Sequence, residues 1–183
     1  MSRQFLYSSV LLVLVALFVS GCLTAERKSY KITMTGKQSG TCTITFHNII
    51  SPKEEGRDIS FKDFAELQTD YVEGDKIESE FPGCRNVKKR LYEKDGQLNG
   101  EFTFEFDSLS TLKMFKYDEK SPVMMYFGSS QESFIESNGT YGGETMPVAF
   151  WPASTTSMTL TTKLSDPNPD AVSLVEQYRK WKK

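Results

Sequence analysis

A single histidine in 183 residues removes most of the chemistry that a chain of this size could carry. Any Ser-His-Asp or Cys-His device would have to be built on His47. That residue closes an alternating segment beside Asn48, the setting of a solvated histidine at a strand end. Only three cysteines are present, Cys22, Cys42 and Cys84, and they do not combine with histidine in the spacing of a common metal site. There is no Gly-rich phosphate loop and no Gly-x-Ser-x-Gly elbow. The adjacent carboxylates Glu54 and Glu55 lie in polar loop sequence and read as solvated charges rather than a glycosidase pair. Basic side chains are not in excess: 22 Lys and Arg face 24 Asp and Glu, which speaks against nucleic acid as a partner. No catalytic, cofactor-binding or metal-ligating residue is therefore expected.

Long apolar runs are equally scarce, with one exception. Val10 to Val19 are all apolar, about half of the roughly 20 residues that a spanning helix needs, and the run ends at Ser20, Gly21 and Cys22. A short apolar core followed by small residues is the pattern of an export signal. The segment Val19-Ser20-Gly21-Cys22 resembles the lipobox of bacterial lipoproteins. The resemblance implies that residues 1–21 are cleaved, that Cys22 is acylated and becomes the first residue, and that the chain is a lipid-anchored protein of the cell envelope. Leu23 stands where such families place an inner-membrane retention aspartate. The implied address is the outer membrane, facing the periplasm, in an organism with two membranes, and the outer face of the plasma membrane in an organism with one. Residues 22–28 read as a lipidated tether that spans at most about 20 Å, so the domain would work at the membrane surface.

Residues 29–183 are enough for one domain with a real core, and their aromatic content argues against a disordered stalk. With Cys22 acylated, Cys42 and Cys84 remain as a pair in an oxidising compartment, which favours a disulfide over two buried free thiols. The loop it would close is about 40 residues long, worth roughly 3 to 4 kcal/mol on the chain-entropy model.

Period-two alternation marks Ser29–Thr35 and Gly40–His47 as a hairpin around Gly36–Gly40. Ser60 and Asp63 form a capping-box pattern before a helix over 60–73. Val87–Tyr92 and Leu98–Phe106 make a second hairpin around Lys94-Asp95-Gly96-Gln97. In its second strand Leu98, Phe102, Phe104 and Phe106 share one face, and Glu101, Thr103, Glu105 and Asp107 the other, which suits a sheet with one wet side. Asp107 or Ser108 opens a short helix through Leu109, Leu112, Met114 and Phe115. Further strands are expected at 123–127, 133–136, 146–151 and 157–164. Asn138-Gly139-Thr140 matches a glycosylation sequon but reads as a tight turn. A closing helix over 170–182 would start with Asn168 as cap and Pro169 in the first turn, burying Val172, Val175, Tyr178 and Trp181. The cations Arg179, Lys180, Lys182 and Lys183 fit its last turn through the helix dipole, or anionic headgroups. The fold expected is α+β: a curved antiparallel sheet of six to eight strands with a packed C-terminal helix and a shorter helix near 60–73.

Flexible and aromatic side chains dominate the inward positions: Met34, Phe46, Phe102, Phe104, Phe106, Met125, Phe127, Met158 and Leu160. Each suits an ordinary core; together, and beside a membrane, they suggest an apolar pocket between the sheet and the C-terminal helix. Gly100 through Asp107, running into Leu109 after an early hairpin and a helix, resembles the LppM-like lipoproteins, which implies a mixed helix and sheet domain that engages lipid or glycolipid. The expected role is binding or carrying an apolar ligand. The alternative is a structural or assembly subunit for an envelope protein partner, and an enzyme using carboxylates alone is a third class. An enclosed apolar cavity, an exposed apolar patch on a solid core, or facing carboxyls in a cleft would distinguish the three.

Overall fold

The computed structural model describes residues 23–128, 132–164 and 169–183. The architecture is α+β, mostly antiparallel sheet. Strands β1 (Thr24–Met34) and β2 (Gly40–Ser51) form the first hairpin; β3 (Arg85–Lys94) and β4 (Gln97–Phe106) form the second. The second hairpin turns through Asp95 and Gly96, both at positive φ, as a two-residue turn of the favoured hand requires. With β7 (Ser133–Ser137), β10 (Ser157–Lys163) and β11 (Val172–Ser173) they make a seven-stranded sheet in the order β3-β4-β2-β1-β10-β7, with β11 beside β2. A separate four-stranded sheet, not anticipated, joins β5 (Met114–Phe115), β6 (Val123–Tyr126), β9 (Val148–Trp151) and β8 (Thr140–Tyr141) in that order.

Two apolar cores result. The larger gathers the inward residues of the seven-stranded sheet, such as Ile32, Ile44, Phe104 and Leu160, with Val123, Met125 and Trp151 of the small sheet. Asn138 ties the two sheets together: its carbonyl accepts from Trp151 Nε1 and Thr159 N–H, both at 2.8 Å, and its amide donates to the Ser157 carbonyl at 2.9 Å. The sequon asparagine thus has a structural use.

The smaller core holds Ala25, Ile49, Leu98 and Leu174 under the helices, with Leu23 packed against it. The inward alternation of β2 runs through Cys42 and Ile44 but resumes at Ile49, one residue out of phase, past Asn48. Asn48 sits at φ 52°, a left-handed conformation that asparagine tolerates better than most residues. That switch turns the end of β2 toward the helices.

Helix α1 (Ser60–Glu66) continues directly into a π-helical segment, Leu67–Glu73. The expected capping box is replaced. Asp58 Oδ1 accepts the Ser60 N–H at 2.8 Å, while Asp63 is buried and accepts the Ser51 hydroxyl at 2.6 Å. Ser108 does cap a turn, accepting the Ser110 N–H at 3.3 Å, but the turn is a short 3-10 helix, Leu109–Leu112, and Met114 and Phe115 are already strand.

Two further expectations change. Residues 24–28, read as tether, are the first half of β1, paired with β2 and from Arg27 onward with β10. The closing helix α2 spans only Val175–Trp181. Val172 and Ser173 pair with Ser51 and Ile50 instead of winding, and Asn168 lies outside the described residues. Backbone bonds that β2 still offered past Phe46, where β4 stops pairing, outweigh the helical pattern there.

Cys42 and Cys84 are free thiols in this structure, not the expected disulfide. Cys42 is on β2 and Cys84 directly precedes β3, with β4 running between those strands. Two strand spacings are about 9 to 10 Å, beyond the roughly 4.4–6.8 Å between Cα atoms that a disulfide spans.

Candidate functional site

Between the sheet and the α1–π segment lies an apolar cleft of about 220 Å³. One position in its wall carries no side chain. Along the inward face of β4, Leu98, Phe102, Phe104 and Phe106 are buried, and Gly100 occupies the place between the first two. A Cβ there would lie 3.1 Å from Ile49 Cδ1 and 3.4 Å from Leu91 Cδ2, both ends of flexible side chains that face the cleft. Opposite, Leu67, Tyr71 and Val72 line it from the π-helical turns, an irregularity often found at functional sites. Leu23, Thr24 and Ala25, which directly follow position 22, complete the lining together with Phe46 and Leu164.

The basic residues at the cleft are paired with acids. Arg90 makes a two-pronged pair with Glu101 at 2.8 and 2.9 Å. Lys89 pairs with Glu78 at 2.7 Å and donates to the Gly74 carbonyl. The rest of the lining is mostly hydrocarbon and aromatic surface, with Thr24 and the exposed carboxylate of Glu80 also on it. A cavity of about 150 Å³ admits benzene, whereas drug-sized ligands need about 300 Å³ or more. The cleft therefore suits a slender apolar group.

Of the nine expected pocket residues, Phe46 and Phe102 line this cleft. Phe104, Phe106, Met125, Phe127, Met158 and Leu160 are buried in the larger core, where they fill space instead of enclosing it, and Met34 packs at its edge. The site also differs in place: the α1–π segment forms its wall, and α2 contributes no lining residue. Gly100 was the signal available in the sequence, a gap in an otherwise strict apolar alternation. The lipobox residues Val19, Ser20, Gly21 and Cys22 lie outside the described residues.

A second feature is a buried ionic cluster in the larger core. Lys28 and Glu132, both nearly inaccessible, pair at 3.5 Å. The Lys28 ammonium lies 4.9, 5.6 and 5.7 Å from the ring centres of Tyr30, Phe46 and Phe81. Thr162 donates to Glu132 at 2.5 Å. Burial, and then the Glu132 charge, pushes the Tyr30 phenol well above its ordinary value. The cluster is closed from solvent and its charges answer each other, so it specifies how β1, β10 and the segment at Glu132 meet.

His47 is not at a strand end but within β2, half-buried, with Nε2 at 2.9 Å from Ser29 Oγ. A nucleophile–base pair has that geometry, yet it also needs an acid on the other ring nitrogen. Among the described residues no carboxylate bonds to His47. Burial, and then the charges of Arg27 and Lys94, lower its pKa from 6.5. Ser29 belongs to a hydroxyl ladder with Thr161 at 3.2 Å. Among the described residues no group of His, Cys, Asp and Glu converges as metal ligands, and no helix is long and apolar enough to cross a membrane.

No protein-family model, curated protein or solved structure matches this chain.

Proposed function

We propose that this chain is an envelope lipoprotein, acylated at Cys22, whose domain binds a lipid or comparable apolar ligand by taking one slender chain into the cleft at Gly100. The observation that carries this reading is the position of the cleft: Leu23, Thr24 and Ala25 line it, so an anchor at residue 22 would hold the binding site against the bilayer that supplies its ligand. With β1 starting at Thr24, nothing longer than a residue or two separates anchor and fold. The test is lipid extraction and native mass spectrometry of the purified protein, with Gly100→Leu as the comparison. A retained lipid, lost in Gly100→Leu while folding is kept, is the expected result. An empty protein that takes up no fatty acid or phospholipid refutes the reading.

The assembly-subunit alternative draws on a different observation. Phe115, Tyr117, Tyr126 and Met146 are exposed on and around the small sheet, away from the cleft lining, and an apolar patch of that kind suits a protein partner. Cross-linking from Tyr117 in intact cells would test it.

A further inference from the structure

The two helices leave large aromatic side chains in water. Phe61 on α1 is 81% exposed and Trp181 on α2 is 56% exposed. They belong to one surface, because Phe64, one turn after Phe61, meets the Trp181 ring edge-on at 6.4 Å, and the Gln177 amide donates to Ser60 Oγ at 2.7 Å. Lysines flank them: Lys62 beside Phe61, and Lys180, Lys182 and Lys183 beside Trp181, all exposed. None of the four forms an ion pair with a described residue. The acids nearest α2 are engaged elsewhere, since Glu93 and Glu176 both hold Arg179. Asp58 accepts the Ser60 N–H at the start of α1. An exposed aromatic pair ringed by lysines without ion pairs among the described residues, of which Lys182 lies 5.8 Å from the Tyr178 ring centre, is the composition of a surface that rests in lipid headgroups, where aromatic rings sit at the interface and lysines meet anionic phosphate.

The position of this surface supplies the occupant. Leu23 packs on the same small core as Phe64, Leu174, Val175 and Tyr178, so the chain enters the domain under these helices. The geometry points to a membrane-seating face: Phe61 and Trp181 insert at the headgroup level of an anionic bilayer, and Lys62, Lys180, Lys182 and Lys183 meet its phosphates. The inference builds on the reading that the protein works at a membrane, but not on the cleft holding lipid. Seating would fix the orientation of the domain, and an acyl anchor alone leaves it free to swivel.

The two tryptophans allow a direct test, because Trp151 is fully buried in the larger core and serves as an internal control. The protein purified from membranes is reconstituted into vesicles of phosphatidylcholine, with or without phosphatidylglycerol, carrying brominated acyl chains. Flotation measures attachment and quenching measures contact. In vesicles containing phosphatidylglycerol, emission is quenched in the unaltered protein, and quenching is lost in Trp181→Phe, where only Trp151 emits. Phe61→Ser combined with Lys180→Glu, Lys182→Glu and Lys183→Glu floats through its anchor but is quenched severalfold less. Protein that floats without quenching, quenching that survives Trp181→Phe, or quenching equal in vesicles lacking phosphatidylglycerol overturns the proposal. Cys22→Ala separates the two readings: if the unaltered protein carries no fatty acid and Cys22→Ala is quenched at Trp181 on anionic vesicles as the unaltered protein is, the anchor is refuted and the seating face is kept. Protein that does not attach to anionic vesicles in either form refutes the face.

Discussion

Lys28→Met is the substitution that asks most of the structure. The methionine keeps the unbranched stem against Tyr30, Phe46 and Phe81 but removes the ammonium, taking from the buried Glu132 the cation that pairs with it at 3.5 Å. Breaking one side of a buried ion pair costs about 3–5 kcal/mol, a large part of the roughly 5–15 kcal/mol that holds a domain together. In a domain of this size each kcal/mol moves Tm by about 2–4 °C, so the melting point should fall by roughly 6–20 °C. Glu132→Gln keeps a partner for Thr162 and leaves the Lys28 charge over three aromatic faces, which compensate it in part; its loss should be smaller. Lys28→Met with Glu132→Leu removes both charges, and because desolvating an ion pair offsets most of its attraction, the double variant should lie within about 2 kcal/mol of the unaltered protein. The assay is denaturant unfolding of these three variants and of Glu132→Leu alone, followed by near-ultraviolet circular dichroism, with Lys28→Met, Glu132→Leu and their double read as a double-mutant cycle. A Lys28→Met loss below about 1 kcal/mol, or a double variant as weak as the sum of the singles, would refute the account of a closed, mutually dependent pair.

Gly100→Leu should abolish lipid retention with little loss of stability, because the atoms nearest its Cβ are flexible side-chain ends; Phe104→Trp should do the reverse, destabilising by about 1–3 kcal/mol through overpacking among rings 4.8 and 5.3 Å away while leaving lipid binding intact. Mass analysis without reductant should find two free thiols. Burial pushes the Cys42 thiol up to about 12 and raises that of Cys84, so alkylation at pH 8 should be slow, with half-buried Cys84 first and Cys42 only on unfolding; a Cys42–Cys84 bond would refute the strand order β3-β4-β2. His47 has a lowered pKa in the fold, so the unfolded chain binds more protons: its contribution to stability is present above about pH 6.5, the unfolded value, and is lost as pH falls from there through the lower folded value. Urea midpoints between pH 5 and 7 should therefore fall with acid in the unaltered protein and change less in His47→Gln.

Strand alternation was the most legible part of the sequence. The α+β class, both hairpins, the turn at Asp95-Gly96 and most later strands can be read from period two, because each strand has one wet face and one dry face. Competition for backbone partners could not be read. Val172 and Ser173 carry a helical stripe but pair with an edge of β2 that β4 leaves open, and residues 24–28, which lie ahead of the alternation that begins at Ser29, are strand as well. Lys28 is buried, yet its partner Glu132 is more than a hundred positions away, a distance across which local pattern has no reach. The cleft shows the same limit from the other side. Phenylalanine and methionine identified where apolar mass would gather, but mass fills space, and a cavity forms where mass is withheld. Gly100 withholds a side chain at one place on β4, and the π-helical turns of 67–73 form the opposite wall through Leu67, Tyr71 and Val72. An apolar site beside a membrane is thus better sought at breaks in an inward alternation than at its bulkiest members, and here the break falls where the entering chain, Leu23 to Ala25, lies against it.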